Sequence, residues 1–293
     1  MSTTHQRYYV PHDSGWPIFG AVALLLVGYG AASWVTQAGK SEGGNGVYIF
    51  WAGIALLVVM LFGWFGTVIR ESTSGLYSDQ LDRSFRQCMA WFIFSEVMFF
   101  LAFFGALFYA RVIAVPWLGG AGNNAMTGEL LWPQFDAVWP VLKTPGGTET
   151  QHMPWSGIPL INTLILLASS VTLQVAHTAI ELGNRARLKI FLGLTIVLGA
   201  VFLGFQVYEY VHAYRDLGLR LDSGIYGNTF FLLTGFHGLH VTIGAILLLV
   251  IWLRIVIKDH FTADKHFGFQ AAAWYWHFVD VVWLNLFIFV YVL

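Results

Sequence analysis

Acidic and imidazole side chains interrupt the long apolar runs of this sequence, and they are the residues whose types and spacing could do chemistry. Glu96 stands alone in WFIFSEVMFFLAFF, while the others occur as pairs. A titratable group in an apolar span is costly to bury, and it marks function by default because it must face protein or water. Such residues could support metal binding or proton transfer. The pairs are His177 with Glu181, Glu209 with His212, His237 with His240, and His277 with Asp280.

Metal binding is the first hypothesis for the paired residues. Glu209 and His212 have the Glu-x-x-His spacing of di-iron carboxylate bundles, but those sites need a second such motif and two further glutamates. His237 and His240 place two imidazoles on one helical face, yet the sequence contains no second histidine-rich box. A haem bound by two histidines stays open, because no spacing selects a pair. We predict no metal site, and instead an interior polar network between helices, formed by Glu209, His212, His237, His240, His277 and Asp280.

Proton transfer is the second hypothesis, and it centres on Glu96. On a helix the positions one turn away are Phe92, Phe99 and Phe100, so the carboxyl is expected to lie among aromatic rings. Apolar surroundings disfavour a charged carboxylate and suit an acid that exchanges a proton. The alternative is a structural acid that hydrogen-bonds to a neighbouring helix. Glu96 is therefore the candidate proton-related residue, and no residue of this chain is predicted to be catalytic.

The elements that position these residues follow from composition. The chain has 293 residues, of which 57% are hydrophobic and 11% charged, whereas a soluble domain carries roughly 25% charged residues. The single cysteine, Cys88, excludes an intrachain disulfide and a thiolate-rich cluster, and the net charge of -1 indicates no nucleic-acid partner. Runs of about 20 apolar residues each predict one transmembrane helix. Seven are predicted, over residues 17–35, 47–69, 89–113, 159–180, 190–210, 229–257 and 269–293.

The distribution of positive charge predicts the orientation of the seven spans. Ten of the 15 lysines and arginines fall at the N-terminus or in the connections between spans 2 and 3, 4 and 5, and 6 and 7. For a bacterial inner membrane, which we assume, the positive-inside rule then places the N-terminus in the cytoplasm and the C-terminus in the periplasm. The five positive residues on the other face are Lys40, Arg111, Lys143, Arg215 and Arg220.

Four long motifs carry a family resemblance. They are VIREST at residues 68–73, SEVMFF at 95–100, GNTFFLLTGFHGLHVTIG at 227–244 and FGFQAAAWYWHFVDVVW at 267–283. Together they closely resemble subunit III of the haem–copper cytochrome c oxidases. The likeness extends from about Trp16 to the C-terminus, and the last two motifs are long enough to be highly specific.

The resemblance implies an all-α integral membrane fold, in which seven transmembrane helices form a two-helix bundle and a five-helix bundle that open as a V. Residues 1–75 would form an N-terminal arm and the two-helix bundle. Residues 76–293 would form the five-helix bundle, with a long loop at about 114–157. The resemblance also implies that haem and copper belong to the partner subunits I and II, with none in this chain, and that the V holds bound phospholipid.

The function implied by the resemblance is that of a non-catalytic subunit. It would stabilise subunit I, bind phospholipid and support proton uptake in a complex that oxidises cytochrome c and reduces oxygen. Two departures from the family pattern matter: Gly66 and Thr67 replace an Arg–Asp pair, and Gln270 replaces a common glutamate. Contacts of those charges cannot be carried over. The rival hypotheses are subunit III of a quinol oxidase and a stand-alone proton-coupled transporter.

Phospholipid binding is predicted at the cytoplasmic ends of spans 2 and 6, which the resemblance assigns to the two walls of the V. A phosphate group there would accept charge-assisted hydrogen bonds, which an arginine can donate as a pair. The alternative is that these residues are ordinary positive-inside anchors in contact with bulk headgroups. The predicted lipid-binding residues are Arg70, Glu71, Arg254, Lys258 and His260.

Overall fold

The computed structural model of the chain describes Tyr9, residues 14–40 and residues 43–293, and this part is almost entirely helical. Most of the predicted N-terminal arm, including Arg7, lies outside the described residues. The α-helices are α1 (Trp16–Lys40), α2 (Gly46–Thr73), α3 (Asp79–Tyr109), α4 (Val115–Leu118), α5 (Ile158–Glu181), α6 (Arg185–Arg215), α7 (Ile225–Leu253) and α8 (Phe267–Leu286). Short π-helical segments occupy Ala110–Ala114, Thr127–Leu131, Arg254–Lys258 and Phe287–Val292.

Seven of these helices are long and apolar enough to cross a membrane, which confirms the predicted all-α class and the seven spans. Spans 1 to 3 correspond to α1 to α3, and spans 4 to 7 to α5 to α8. Several helices are longer than the apolar runs that predicted them. α6, for example, has 31 residues and is roughly 46 Å long, against about 30 Å for the hydrocarbon core. Polar residues continue these helices beyond the apolar run, where water and headgroups can solvate them.

The first compact unit, Met1–Phe85, is built on the hairpin of α1 and α2. Glycines line the contact, so the two backbones approach closely. A methyl group on Gly53 would lie 2.7 Å from the backbone nitrogen of Val27, and one on Gly30 or Gly46 would overlap backbone atoms of the opposite helix. Small residues at such crossings are typical of helix association in membranes, where packing replaces the hydrophobic driving force.

The second compact unit, Arg86–Leu293, contains α3 from Arg86 onward and the long helices α5 to α8. Its tightest connection joins α5 to α6 through Leu182–Asn184. Gly183 adopts the positive φ of 70° that ends α5, and the Asn184 side chain accepts a hydrogen bond from the backbone of Arg187 at 3.1 Å to begin α6. A short connection of this kind makes α5 and α6 antiparallel neighbours.

α8 is the most buried of the seven long helices, and Trp276 is one of its fully buried residues. The indole is fully buried. It fits between α6 and α7 because both helices present a glycine: a methyl on Gly199 would lie 2.6 Å from the indole ring, and one on Gly244 would lie 2.9 Å from it. The indole nitrogen donates to the hydroxyl of Ser169 on α5 at 2.9 Å. One side chain of α8 therefore contacts three other helices.

Candidate functional site

α3 and α7 bring an acid and an imidazole together within the second unit. Glu96 lies near the middle of α3, and its Oε2 atom is 2.8 Å from Nε2 of His240 on α7. The side chains are 22% and 10% exposed, respectively, so the acid is reachable from outside the unit while the imidazole is enclosed. The contact fits both hypotheses for Glu96, because a bond to a neighbouring helix and a proton exchange would use the same atoms.

The hydrogen bonds of His240 fix how many protons this pair holds. Nδ1 is 2.6 Å from the carbonyl oxygen of Phe236, which can only accept, so Nδ1 carries a proton. A neutral imidazole then has a lone pair on Nε2, and two facing acceptors would not meet at 2.8 Å. Either Glu96 is protonated and donates, or His240 is doubly protonated and donates. In both cases one proton lies between the two side chains, and the pair is neutral as a whole.

Aromatic rings surround the pair. The rings of Phe99 and Phe100 lie 5.9 Å and 4.9 Å from the imidazole of His240, and the ring of Tyr275 stacks on the imidazole at 6.4 Å. Phe92, the third predicted neighbour of Glu96, stacks on Tyr275 at 6.1 Å. These rings give the pair largely apolar surroundings, and such surroundings strengthen a hydrogen bond between an acid and an imidazole.

His237 has a different environment from His240, although one helical turn separates them. It is fully buried, and its Nε2 donates to the backbone carbonyl of Val279 on α8 at 3.2 Å. Its ring also packs against Trp283, with the centroids 5.0 Å apart. The two histidines of the HGLH motif therefore contact different helices through Nε2, while Nδ1 of His237 is buried and has no hydrogen-bond partner among the described residues.

His277 and Asp280 lie together on the inner side of α8. Nδ1 of His277 is 2.7 Å from the hydroxyl of Ser170 on α5, whereas the carboxylate of Asp280 is 3.7 Å from the same nitrogen. Neither oxygen of Asp280 has a hydrogen-bond partner among the described residues. The shorter bond joins His277 to a neighbouring helix, so this pair links α8 to α5.

Glu209 and His212, the other predicted pair, are separated by their surroundings. Glu209 is 1% exposed and accepts a hydrogen bond of 2.5 Å from the hydroxyl of Tyr291, in the last turn of the chain. The side chain of His212 is 39% exposed at the end of α6, and its Nδ1 lies 2.6 Å from Asp216. Five of the six predicted network residues form separate contacts: His240 with Glu96, His237 with α8, His277 with Ser170, Glu209 with Tyr291, and His212 with Asp216. The sixth, Asp280, lies 3.7 Å from His277.

In the first unit, the predicted lipid-binding residues Arg70 and Glu71 end α2. Glu71 accepts hydrogen bonds from the hydroxyls of Tyr77 at 3.2 Å and Tyr9 at 3.3 Å. Burial raises the pKa of Tyr77, and the charge of Glu71 raises it further. The exposed Arg70 donates a hydrogen bond to the hydroxyl of Thr67, one turn earlier on the same helix, at 3.3 Å. The arginine is available to a phosphate, while the glutamate is engaged by tyrosines.

In the second unit, Arg254, Lys258 and His260 follow the end of α7. The Arg254 guanidinium lies 4.4 Å from the ring centroid of Phe261. Its Nε and the Nδ1 of His260 are buried and have no hydrogen-bond partner among the described residues. Burial lowers the pKa of His260, and the charges of Arg254 and Lys258 lower it further. This segment therefore combines positive potential with two buried nitrogens that have no hydrogen-bond partner among the described residues.

The cross-helix partners are the functional residues that sequence reasoning did not identify. Tyr291, Ser170 and the pairing of Glu96 with His240 all depend on which helices are neighbours. The available signal was only that each polar group in an apolar run requires a partner. That signal predicts that each buried polar group makes a hydrogen bond, but it does not identify the partner residue.

Comparison with known proteins gives a consistent result over the whole chain. A family model described as cytochrome c oxidase subunit III matches residues 5–293. The chain is 40% identical over 292 residues to cytochrome c oxidase subunit 3 of Struthio camelus, covering 99% of this chain and 98% of the relative. It is 41% identical over 291 residues to the protein of the same name from Gadus morhua, covering 98% of both. The resemblance inferred from the four motifs is confirmed, and the chain belongs to the cytochrome c oxidase subunit III family.

Proposed function

We propose that this chain is a non-catalytic subunit of its oxidase, which binds neither haem nor copper and which packs beside subunit I while subunits I and II hold the redox centres. The hydrogen bonds of its buried histidines support this. Nε2 of His237 bonds to a backbone carbonyl, both nitrogens of His240 are engaged, and Nδ1 of His277 bonds to Ser170. A metal that used these nitrogens of His240 or His277 would have to break the hydrogen bonds that they make to Glu96, Phe236 and Ser170.

Proton supply is the role that the pair of Glu96 and His240 supports best, and this pair is the observation that carries the proposal. A single proton lies between two groups of which only the acid is reachable from outside the unit. Such a pair can take up a second proton from that side and release one again without any movement of a helix. In the oxidase, we propose that it assists proton uptake from the cytoplasmic side.

Replacing the acid while keeping the hydrogen bond tests this proposal. In the Glu96→Gln variant the amide can donate to Nε2 of a neutral His240, so packing is preserved and the exchangeable proton is lost. We expect slower proton uptake in the assembled oxidase, measured with a pH indicator during turnover, and unchanged haem absorption bands. Glu209→Gln is the matched control, because it removes a second intramembrane carboxyl that bonds to Tyr291. Wild-type uptake rates in Glu96→Gln would contradict the proposed role.

We also propose that the positive segments bind phospholipid headgroups. The exposed Arg70 and Lys258 and the partly exposed Arg254 support this, since a phosphate could accept charge-assisted hydrogen bonds from these side chains. Arg70→Lys combined with Arg254→Lys keeps the charge and removes the bidentate donors. We expect phospholipid, measured as phosphorus per purified complex, to be lost during detergent washing and the oxidase to be inactivated sooner.

Arg220→Lys is the control for lipid retention. The Arg220 guanidinium also lies over an aromatic ring, that of Tyr214 at 4.9 Å, but the predicted topology puts it on the opposite membrane face. It should retain the wild-type amount of lipid. If the Arg70→Lys, Arg254→Lys double variant retained as much phospholipid as the wild type, the lipid-binding proposal would fail. The two arginines would then be only positive-inside anchors.

We further propose that the chain lies in a bacterial inner membrane, where the charge distribution supports a cytoplasmic N-terminus. Labelling with a membrane-impermeant maleimide tests this orientation. In a Cys88→Ser background, Thr148→Cys should react in intact cells, whereas Asp264→Cys should react only after the membrane is opened. The reverse pattern would invert the orientation and with it the proposed side of proton entry.

A further inference from the structure

We infer that His177, Glu181 and His266 form a binding site for a divalent cation of the zinc type. His177 and Glu181 lie one turn apart at the end of α5, and His266 immediately precedes α8. One ligand atom from each of these side chains lies within 4.8 Å of the other two. Two imidazoles and one carboxylate, with water in the fourth position, form a recognised ligand set for Zn²⁺.

The separations suit a tetrahedral ion after small side-chain movements. Ligand atoms at 2.0–2.1 Å from Zn²⁺ in tetrahedral geometry stand about 3.4 Å apart. Nε2 of His177 and Oε1 of Glu181 are already 3.7 Å apart. The upper limit of 4.8 Å for the three atoms leaves at most about 1.4 Å to close. Rotation of the exposed Glu181 side chain and small adjustments of the imidazoles can supply this.

The hydrogen bonds of His266 orient its ring for a cation. Its Nδ1 is 3.1 Å from the carbonyl oxygen of Thr262, so Nδ1 carries the proton and Nε2 has a free lone pair. Bonds of this kind fix the tautomer of metal-binding histidines. The amide nitrogen of Gln270 donates to Nε2 at 3.1 Å, and its oxygen accepts from Arg86 at 2.5 Å. A cation would displace one neutral amide from this nitrogen.

His177 supplies the independent observation that favours a ligand. Its Nε2 is buried and has no hydrogen-bond partner among the described residues. The ring lies edge-on to His266, with centroids 5.8 Å apart, and packs against Phe269 at 5.5 Å. A buried nitrogen without a partner is unfavourable, and a cation between the two histidines would satisfy it.

Access and ligand type select the class of cation. The Glu181 side chain is 56% exposed, so the site is reachable from the surface at the end of α5. Two nitrogen ligands argue against Ca²⁺ and Mg²⁺, which take oxygen ligands. Imidazole with carboxylate suits Zn²⁺, and a single carboxylate leaves a net positive centre with one position for water. The site is independent of the proposed proton and lipid roles.

The full-length chain purified in detergent and freed of metal by a chelator provides the test. Zn²⁺ is titrated against a chromophoric competitor, and X-ray absorption at the zinc edge counts the imidazole ligands. We expect one Zn²⁺ per chain with two imidazoles. His266→Ala and Glu181→Gln should each weaken binding on the order of tenfold or more, since outer-shell changes alone cost 10–100-fold.

His212→Ala is the matched control. His212 and Asp216 form the same one-turn pair of imidazole and carboxylate on a helix, without a third ligand among the described residues. This variant should bind Zn²⁺ as the wild type does. The Glu181 side chain is largely exposed, so Glu181→Gln is not expected to disturb folding. Circular dichroism checks that the helix content of this variant is unchanged, so that weaker binding cannot be due to misfolding. Fewer than two imidazoles on the bound zinc, or unchanged affinity in Glu181→Gln and His266→Ala, would overturn the inference.

Discussion

The fit of Trp276 between two glycines gives the sharpest prediction about packing in the second unit. Gly199→Ala places a methyl 2.6 Å and 3.1 Å from two atoms of the indole six-membered ring. Carbon atoms at those distances overlap, and overpacking of this kind costs about 1–3 kcal/mol. Removing a helix-interior glycine would by itself gain about 0.5–1 kcal/mol. We therefore expect Gly199→Ala to destabilise the unit despite the better helix propensity of alanine.

Trp276→Phe separates the clash from other effects of the substitution. Phenylalanine lacks the indole atoms that the methyl would meet, so Gly199→Ala should cost little or nothing in the Trp276→Phe background. The coupling free energy between the two positions should be about 1–3 kcal/mol. The assay is unfolding of the purified chain by sodium dodecyl sulfate in mixed micelles, followed by circular dichroism, for the wild type, both single variants and the double variant.

Gly204→Ala is the control on the same helix. A methyl at Gly204 would have no neighbouring atom within 4 Å, so this variant should show only the propensity gain of about 0.5–1 kcal/mol. Additivity of Gly199→Ala and Trp276→Phe within about 0.5 kcal/mol would refute the reasoning, because the two residues would then not be in repulsive contact.

Two further predictions concern tyrosines. Tyr291→Phe leaves the buried carboxyl of Glu209 without its donor, so we expect a loss of about 1–3 kcal/mol in the same unfolding assay, whereas the exposed Tyr208→Phe should be neutral. Tyr77 has a raised pKa through burial and the charge of Glu71, so the folded chain holds this phenol proton to higher pH than the unfolded chain. The stabilising contribution of Tyr77 to the free energy of unfolding is therefore fully present below pH ~10 and is lost as the pH rises further. Tyr77→Phe should reduce that alkaline loss of stability, and an identical alkaline profile would contradict it.

Composition predicted the helices well because each apolar run of about 20 residues has one favourable state in a bilayer. The helix ends were predicted less well. α3 begins at Asp79, ten residues before the predicted span, because hydropathy does not register a helix that continues through polar residues. The four motifs indicated the family, and the comparisons with known proteins confirm it.

The contacts of the candidate site were predictable only in part. His277 and Asp280 are close in sequence, and local spacing was enough to place them on one helical face. The partner of Glu96 is 144 residues away, and no local rule relates the two positions. The same limit applies to the proposed zinc site: the spacing of His177 and Glu181 is visible in the sequence, whereas His266 lies outside the apolar runs and joins them only through the packing of α5 against α8.

The separation of Glu96 from His240 has a consequence for biosynthesis. At a translation rate of about 5–20 residues per second, a ribosome needs roughly 7–30 s to add the 144 residues between them. During that interval α3 has left the ribosome without the imidazole that completes its hydrogen bond. A charged carboxylate in hydrocarbon is costly, so the acid has to stay neutral or in contact with water until α7 follows. Final docking of α3 is therefore a late event in biogenesis, and an insertase or chaperone that shields a single acidic helix would act within this interval.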